Sequence, residues 1–461
     1  MHPICLRRWS VIKRIFIDSS AAALFLFLGL FLTMTCSAQT APSKSVLPAN
    51  LPDVLTMSNG AKITTRAQWQ VRRAQLLKFF TEQEYGVAPP RPKSMRFVVV
   101  DDTPNALGGI ATRKQVTILL DGTSKGPKLH LLLYIPNQVH RPPVFLGLNF
   151  WGNETIHADP GIEISTRWTE ITPGKSTHDP NTGPCLKDHR ATAACRGIAA
   201  DKWPLDTILK RGYAVATAFR ADVDPDYIGS YPDTLKAYYP QLQGRNDNFS
   251  TIGAWAWALQ RMMDYLETDQ DVDASRVTVF GWSRLGKAAL WAAANDPRFA
   301  MAISNDSGAG GVRLFHVNSG QSETILALNT HFPYWFCKNF KQYNGQDATL
   351  PFDQHMMIAL IAPRPLYIAS ASEDHWANPE GEFLSGVAVT RVYKLLGTDG
   401  LPTTQWPPVN HPVMGQIGYH VRTGVHNITL YDWQQYLTFA DMHLKKAGTA
   451  QNRSRQKENK R

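Results

Sequence analysis

Hydrophobic positions fall into two regimes along this chain. The early segments "MRFVVVDD", "KQVTILLDG" and "KLHLLLYIP" are short β-rich runs set apart by Gly, Pro, Asp or Asn, and such punctuated runs predict antiparallel strands at one edge of a sheet. Further on, "PVFLGLNF", "YAVATAF", "VTVFG", "FAMAISND" and "PLYIASA" are apolar almost without a break. A strand with one wet face alternates in polarity, whereas an unbroken apolar run belongs to a strand covered on both faces, as in a mostly parallel sheet. Between these runs lie the helical stretches "STIGAWAWALQRMMDYLET", "RLGKAALWAAAND", "GEFLSGVAVTRVYKLLG" and "YDWQQYLTFADMHLKK". Strands alternating with helices imply right-handed crossovers, and the predicted fold is an α/β three-layer sandwich with a mostly parallel central sheet and antiparallel N-terminal edge strands. No repeat, low-complexity tract or linker interrupts it. The segment from Asn153 to Trp203, rich in Pro, Gly and Thr, is too long for a plain connection and is expected to cover a site.

The two ends stand outside this pattern. Arg7, Arg8, Lys13 and Arg14 precede the apolar run "AAALFLFLGLFL", and "CSAQ" offers Ser37 and Ala38 for cleavage, so residues 1–38 read as an export signal. The apolar run of about 12 residues is short for the roughly 20 that a spanning helix requires. Residues 39–446 then form a single catalytic domain, and 447–461 a disordered basic tail. The formal net charge of +10 is concentrated in those ends, since the leader holds four basic residues against one acidic and the tail five against one. A near-neutral core gives no basic groove for nucleic acid. Of the five cysteines, Cys185, Cys195 and Cys337 remain after export. Cys185 and Cys195 share one loop and are the expected disulfide in an oxidising compartment; Cys337, between aromatics, is expected to be a buried thiol.

Chemistry concentrates at "VTVFGWSRLGKAALWAAAND". A buried strand ends at Gly281, Ser283 follows, and a small-residue helix begins at once, which is the order a nucleophile elbow needs. Gly286 falls three residues after Ser283, where the usual G-x-S-x-G pattern has its second glycine two after, so the motif alone is ambiguous. In this architecture the base follows late in the chain, before the last helix. His426 in "GYHVRTGVHNITLYDW" holds that place, with His411 and His420 as rivals. Two carboxylates, Asp306 after "FAMAISN" and Asp374 in "PLYIASASEDHW", could orient the imidazole; either could equally be a turn or cap residue. No H-x-H or H-E-x-x-H spacing occurs among the 14 histidines, and no metal or other cofactor is expected.

Taken together these residues resemble the glucuronoyl esterases, carbohydrate esterase family 15, of the α/β-hydrolase superfamily. The family signature G-C-S-R-x-G followed by Lys, with E-S-G-A-G-G downstream, is matched here by "GWSRLGK" and "NDSGAGG". The similarity continues through "LNFWGNET", "FPYWFCKNF", "LIAPRPLYI" and "EDHW", and spans about Tyr85 to Leu444. The resemblance implies a serine esterase that cleaves, through an acyl-enzyme, the ester between 4-O-methylglucuronic acid of glucuronoxylan and lignin alcohols. It implies Ser283 as nucleophile, His426 as general base and Arg284 as an oxyanion stabiliser. It also implies Lys287, Glu323 and Trp376 as the residues that grip the sugar. Two positions depart from the pattern. Trp282 stands where the family often has a cysteine, which points to a bacterial-type relative, and Asp306 stands where a glutamate is usual, so that Asp374 is expected to share or take over the orienting role.

The expected partner is therefore a glucuronoxylan or lignin–carbohydrate ester, with no nucleic acid and no stable membrane insertion, and the protein is expected to be a secreted or periplasmic monomer. An acetyl xylan esterase with the same triad is the alternative within enzymes, and a non-catalytic carbohydrate-binding protein the alternative outside them.

Overall fold

In the computed structural model, residues 46–169 and 185–445 are described; the leader and the basic tail lie outside them. Three antiparallel strands come first, β1 (Arg96–Asn105), β2 (Ala111–Leu119) and β3 (Lys128–Pro136), followed by β4 (Val144–Asn149). A small hairpin, β5 (Leu186–Lys187) and β6 (Arg190–Ala191), precedes β7 (Ala214–Phe219), β8 (Val277–Trp282), β9 (Met301–Asn305), β10 (Leu366–Ala371) and β11 (Ile417–Arg422). Nine of these form one sheet in the order β1-β2-β3-β7-β4-β8-β9-β10-β11. From β7 onward the pairings are parallel, while β1, β2 and β3 are antiparallel, as the two hydropathy regimes predict.

Apolar runs without breaks have a plain cause here. In β8, Val277 and Val279 join one core while Phe280 and Trp282 join the other, so alternate side chains are both buried because helices cover both faces. One face carries the helices Arg66–Phe80, Thr251–Leu266, Arg284–Asn295 and Pro379–Leu395; the other carries Leu205–Lys210 and Leu430–Leu444. At the open edge β1 leaves Val98, Val99 and Val100 exposed.

The helix Arg66–Phe80 is absent from the sequence-based reading. It starts at a capping box between Thr65 and Gln68, yet only Trp69, Leu76 and Phe80 are buried along it, too sparse an apolar stripe to stand out. Cys185 and Cys195 form the expected disulfide, and Cys337 is a free buried thiol whose burial pushes it up to about 12. Among the described residues no helix is long and apolar enough to cross a membrane.

Candidate active site

The turn after β8 is strained in a specific way. Ser283 sits at φ 57° and ψ −132°, a backbone region that costs a non-glycine residue roughly 1–3 kcal/mol and persists only where its surroundings fix it. Its N–H donates to the Asn305 carbonyl at 2.9 Å, and its carbonyl accepts from the Gly286 and Lys287 N–H groups at 2.8 and 3.2 Å. The Ser283 hydroxyl is not used to cap the helix it precedes. Gly281 is required by close approach, and Gly286 lies in a tight one. A Cβ on Gly281 would lie 2.1 Å from the Leu285 carbonyl oxygen, and one on Gly286 would lie 3.0 Å from Cβ of Ser307. The glycine three residues after Ser283 thus sits where the helix Arg284–Asn295 approaches the turn after β9.

Ser283 and His426 line one cavity of about 270 Å³, together with Arg284, Lys287, Asp306, Glu323, Asp374 and Trp376. Every site residue singled out from the sequence thus meets in one place. His426 Nδ1 lies 2.5 Å from Asp374 Oδ2, a contact that fixes the tautomer with the proton on Nδ1. Its ring packs 5.5 Å from that of Trp282, which also touches Phe150 and Trp151, so the tryptophan in place of the frequent cysteine supplies a wall for the imidazole. Asp374 itself is set by the Ala377 N–H, which donates to Oδ1 at 3.0 Å.

Asp306 takes a different place. Its Oδ2 accepts from the Asn427 N–H at 3.3 Å and faces Arg422 at 3.5 Å, so it braces the backbone beside His426. Burial, with Asp374 and Glu382 close by, pushes the Asp306 carboxyl well above its ordinary value. Two neighbouring carboxylates do not both ionise readily in a buried site. Asp306, Asp374 and His426 are the group among the described residues whose side-chain atoms, within 4.8 Å of one another, could surround a metal ion. His426 Nδ1 is committed to Asp374, and Asp306 to the Asn427 N–H and Arg422.

The rival histidines lie elsewhere. His420 is wholly buried between Asp432 and the Tyr367 hydroxyl, 2.9 Å from each, a satisfied core histidine; His411 is exposed. Arg422, missed in the sequence, organises the loop that carries His426. Its guanidinium donates to the carbonyls of Thr423, Val425 and Asn427 and pairs with Asp432 at 2.9 Å.

On the opposite side of the cavity, Lys287 donates to the Ser307 and Ala309 carbonyls at 2.7 and 2.5 Å and to Glu323 Oε2 at 2.9 Å. An ammonium has three donors, and all are engaged. Burial pulls the Lys287 ammonium down, against the pull of Glu323. Glu323 also accepts from the Trp376 indole at 3.1 Å, and Trp376 is 45% exposed, so an aromatic face stands at the cavity rim. Arg284 is paired with Asp226 at 2.5 Å, another residue the sequence did not signal. Among the described residues of the segment from Asn153 to Trp203 none lines this cavity, and residues 170–184 of the segment lie outside the described residues. Instead Glu163–Arg167 line a separate crevice with His130 and Asp222, because Arg167 is tied to the Ala221 and Asp233 carbonyls.

Comparison with known proteins follows the same lines. Residues 199–397 match the family model for glucuronyl esterase of fungi. A carbohydrate esterase, MZ0003, from an unknown prokaryotic organism is 43% identical over 400 residues, covering 86% of this chain and 89% of its own. The 4-O-methyl-glucuronoyl methylesterase of Schizophyllum commune is 27% identical over 80% of this chain and 77% of its own. Among solved structures, a glucuronoyl esterase from Solibacter usitatus superposes with a TM-score of 0.79 at 38% identity, covering 87% of this chain and 99% of that one. A promiscuous esterase of carbohydrate esterase family 15 from a marine bacterial metagenome gives 0.77 at 42% identity, covering 87% and 98%.

Proposed function

The chain belongs to the glucuronoyl esterases of carbohydrate esterase family 15 and is a carboxylic ester hydrolase, and from that premise we propose that Ser283, His426 and Asp374 cleave the ester between a 4-O-methylglucuronate of glucuronoxylan and a lignin alcohol. The observation that carries this reading is the Asp374–His426 contact of 2.5 Å in a cavity shared with the strained Ser283.

His426 Nε2 takes the Ser283 proton as Oγ attacks the ester carbonyl, forming a C–O bond and placing charge on the carbonyl oxygen. Backbone N–H groups at the start of the helix Arg284–Asn295, with the Arg284 guanidinium, meet that charge. The C–O bond to the alcohol then breaks, and the alcohol leaves with the proton from His426. Water, deprotonated by His426, attacks the acyl-enzyme and releases the uronic acid and free Ser283. Asp374 keeps Nδ1 protonated and stabilises the imidazolium. Asp306, favoured in its neutral form, braces the His426 loop, which leaves the orienting charge to Asp374.

Trp376 and Glu323 supply the stacking face and acceptor for a sugar ring. Lys287 reaches a hydroxyl only by exchanging one of its three protein bonds. The cavity is large enough for a uronate ring, which favours this reading over an acetyl esterase. We further propose that residues 1–38 are removed on export, in keeping with the Cys185–Cys195 disulfide, and that the mature chain acts as a monomer; N-terminal sequencing and light scattering of the secreted protein test both.

Ser283→Ala is expected to abolish hydrolysis of benzyl glucuronate while leaving cooperative unfolding intact. Retained turnover would refute the nucleophile. Hydrolysis of acetylated xylan in preference to methyl glucuronate would instead move the substrate class to acetate esters.

A further inference from the structure

The stretch "ADVDPDY" places carboxylates at alternate residues, Asp222, Asp224 and Asp226, a spacing that in a loop can gather round one cation. The fold sends them to three different partners. Asp222 accepts from the His130 backbone N–H at 2.8 Å and faces its ring at 3.1 Å. Asp224 pairs with Lys236 at 2.9 Å and accepts from the Thr251 hydroxyl at 2.6 Å. Its other oxygen accepts the Asp226 N–H at 2.8 Å, and this turn holds Asp226 in the left-handed region at φ 70°.

Asp226 is thereby aimed at the active site. Its side chain is fully buried and meets Arg284 Nη1 at 2.5 Å, Arg220 Nη1 at 3.0 Å and the Trp335 indole N–H at 2.7 Å. Burial alone would raise its carboxyl, but Arg284, Arg220 and Trp335 outweigh it and hold the group below its ordinary value. The Arg284 guanidinium also lies 4.7 Å over the Trp335 ring and 5.3 Å over Phe332, two rings stacked 3.7 Å apart. Among the described residues Nε of Arg284 is buried without a partner, and the one hydrogen-bonded anchor of the guanidinium is Asp226.

We infer that Asp226 is the positioning residue of Arg284: it and the Trp335–Phe332 stack fix the guanidinium through Nη1 and leave Nη2 to the oxyanion. This rests on Arg284 as an oxyanion donor. A donor already in place when charge develops costs no reorganisation, which is where such groups gain their effect on rate. Without Asp226, Arg220 and Arg284 repel one another with no carboxylate between them, and the guanidinium leaves its position.

A double-mutant cycle on benzyl glucuronate tests the coupling. Asp226→Asn is expected to lower kcat about tenfold to a hundredfold with KM within about twofold, and to have no further effect on kcat in an Arg284→Gln background. A residue that merely supports the fold would lower kcat by the same factor in both backgrounds, and that result overturns the inference, as does an unchanged kcat in Asp226→Asn. If Arg284→Gln alone keeps its kcat, the oxyanion role itself is wrong. Should Asp226→Asn fail to unfold cooperatively, Trp335→Phe, which keeps a ring and removes one donor to Asp226, enters the same cycle: a severalfold loss in the wild-type background and none with Arg284→Gln is expected, and equal losses overturn the inference.

Discussion

Two cations one helical turn apart, Arg284 and Lys287, face the same cavity from the same helix, and they are held in opposite ways. Lys287 is 4% exposed in its side chain and has all three donors bound to protein. Arg284 is 27% exposed and has one hydrogen-bonded anchor among the described residues. The first is part of the wall, tying the Ser307–Ala309 turn to Glu323; the second is a donor held still with capacity left over. The family resemblance gave both a role toward the substrate, and their partners separate the roles.

The comparison can be broken at several levels. The largest expected effect concerns neither cation: Asp374→Asn should lower kcat on the order of 10⁴-fold, since the amide favours the wrong imidazole tautomer, whereas Asp306→Asn should cost far less. Equal losses in the two variants, read by steady-state kinetics on benzyl glucuronate, would return Asp306 to the orienting role. Arg284→Gln should then lower kcat about 10²-fold to 10³-fold with little change in KM, because its interaction strengthens only as charge forms. Lys287→Met should act differently. It leaves Glu323 buried without its cation, a loss of about 3–5 kcal/mol in stability, with KM rising more than kcat falls; denaturant midpoints and kinetics of the same samples decide. A Lys287 variant that lost kcat alone would erase the distinction between the two cations.

The smallest effect concerns the layer behind Lys287. Glu84 accepts from Gln354 Nε2 at 2.9 and 3.0 Å, and the Tyr85 hydroxyl lies 3.1 Å from the Gly310 carbonyl oxygen. Complete burial pushes the Glu84 carboxyl up to about 8 from 4.5, only partly offset by Gln354. The folded state thus keeps a proton that the unfolded chain has lost, so this group's contribution to stability falls as pH rises from about 5 to 8. Glu84→Gln should flatten that slope in urea unfolding measured across the interval. An unchanged slope would assign it to another buried acid, such as Glu154, which burial raises to about 7.

Much of the site was readable because its signals are local. The strand, the glycine, the serine and the small-residue helix are consecutive, and a sharp turn between two regular elements leaves a fixed trace in residue size. His426 was found by its place before the last helix, and Cys185 with Cys195 by sharing a loop. Asp226, Arg422 and Glu382 left no such trace. Glu382 lies in the first turn of the helix Pro379–Leu395, yet it accepts from the Gly308 N–H and the Ser370 hydroxyl, joining the turn after Asp306 to strand β10, which leads to Asp374. An aspartate in a loop and an arginine at a strand end are ordinary in composition; only their distant partners give them a role.

The amino-acid order by itself determined the layered α/β architecture and the strained serine turn, because backbone sterics and the period of apolar residues act over a few positions, whereas Lys287, Glu323 and Trp376 were pointed to by the family resemblance. Which acid faces His426, 52 residues away, and which anion holds Arg284, 58 residues away, were decided only when the sheet brought those segments together. Hydrogen bonds and charge pairing act over a few ångströms of space, and chain separation carries no record of that distance.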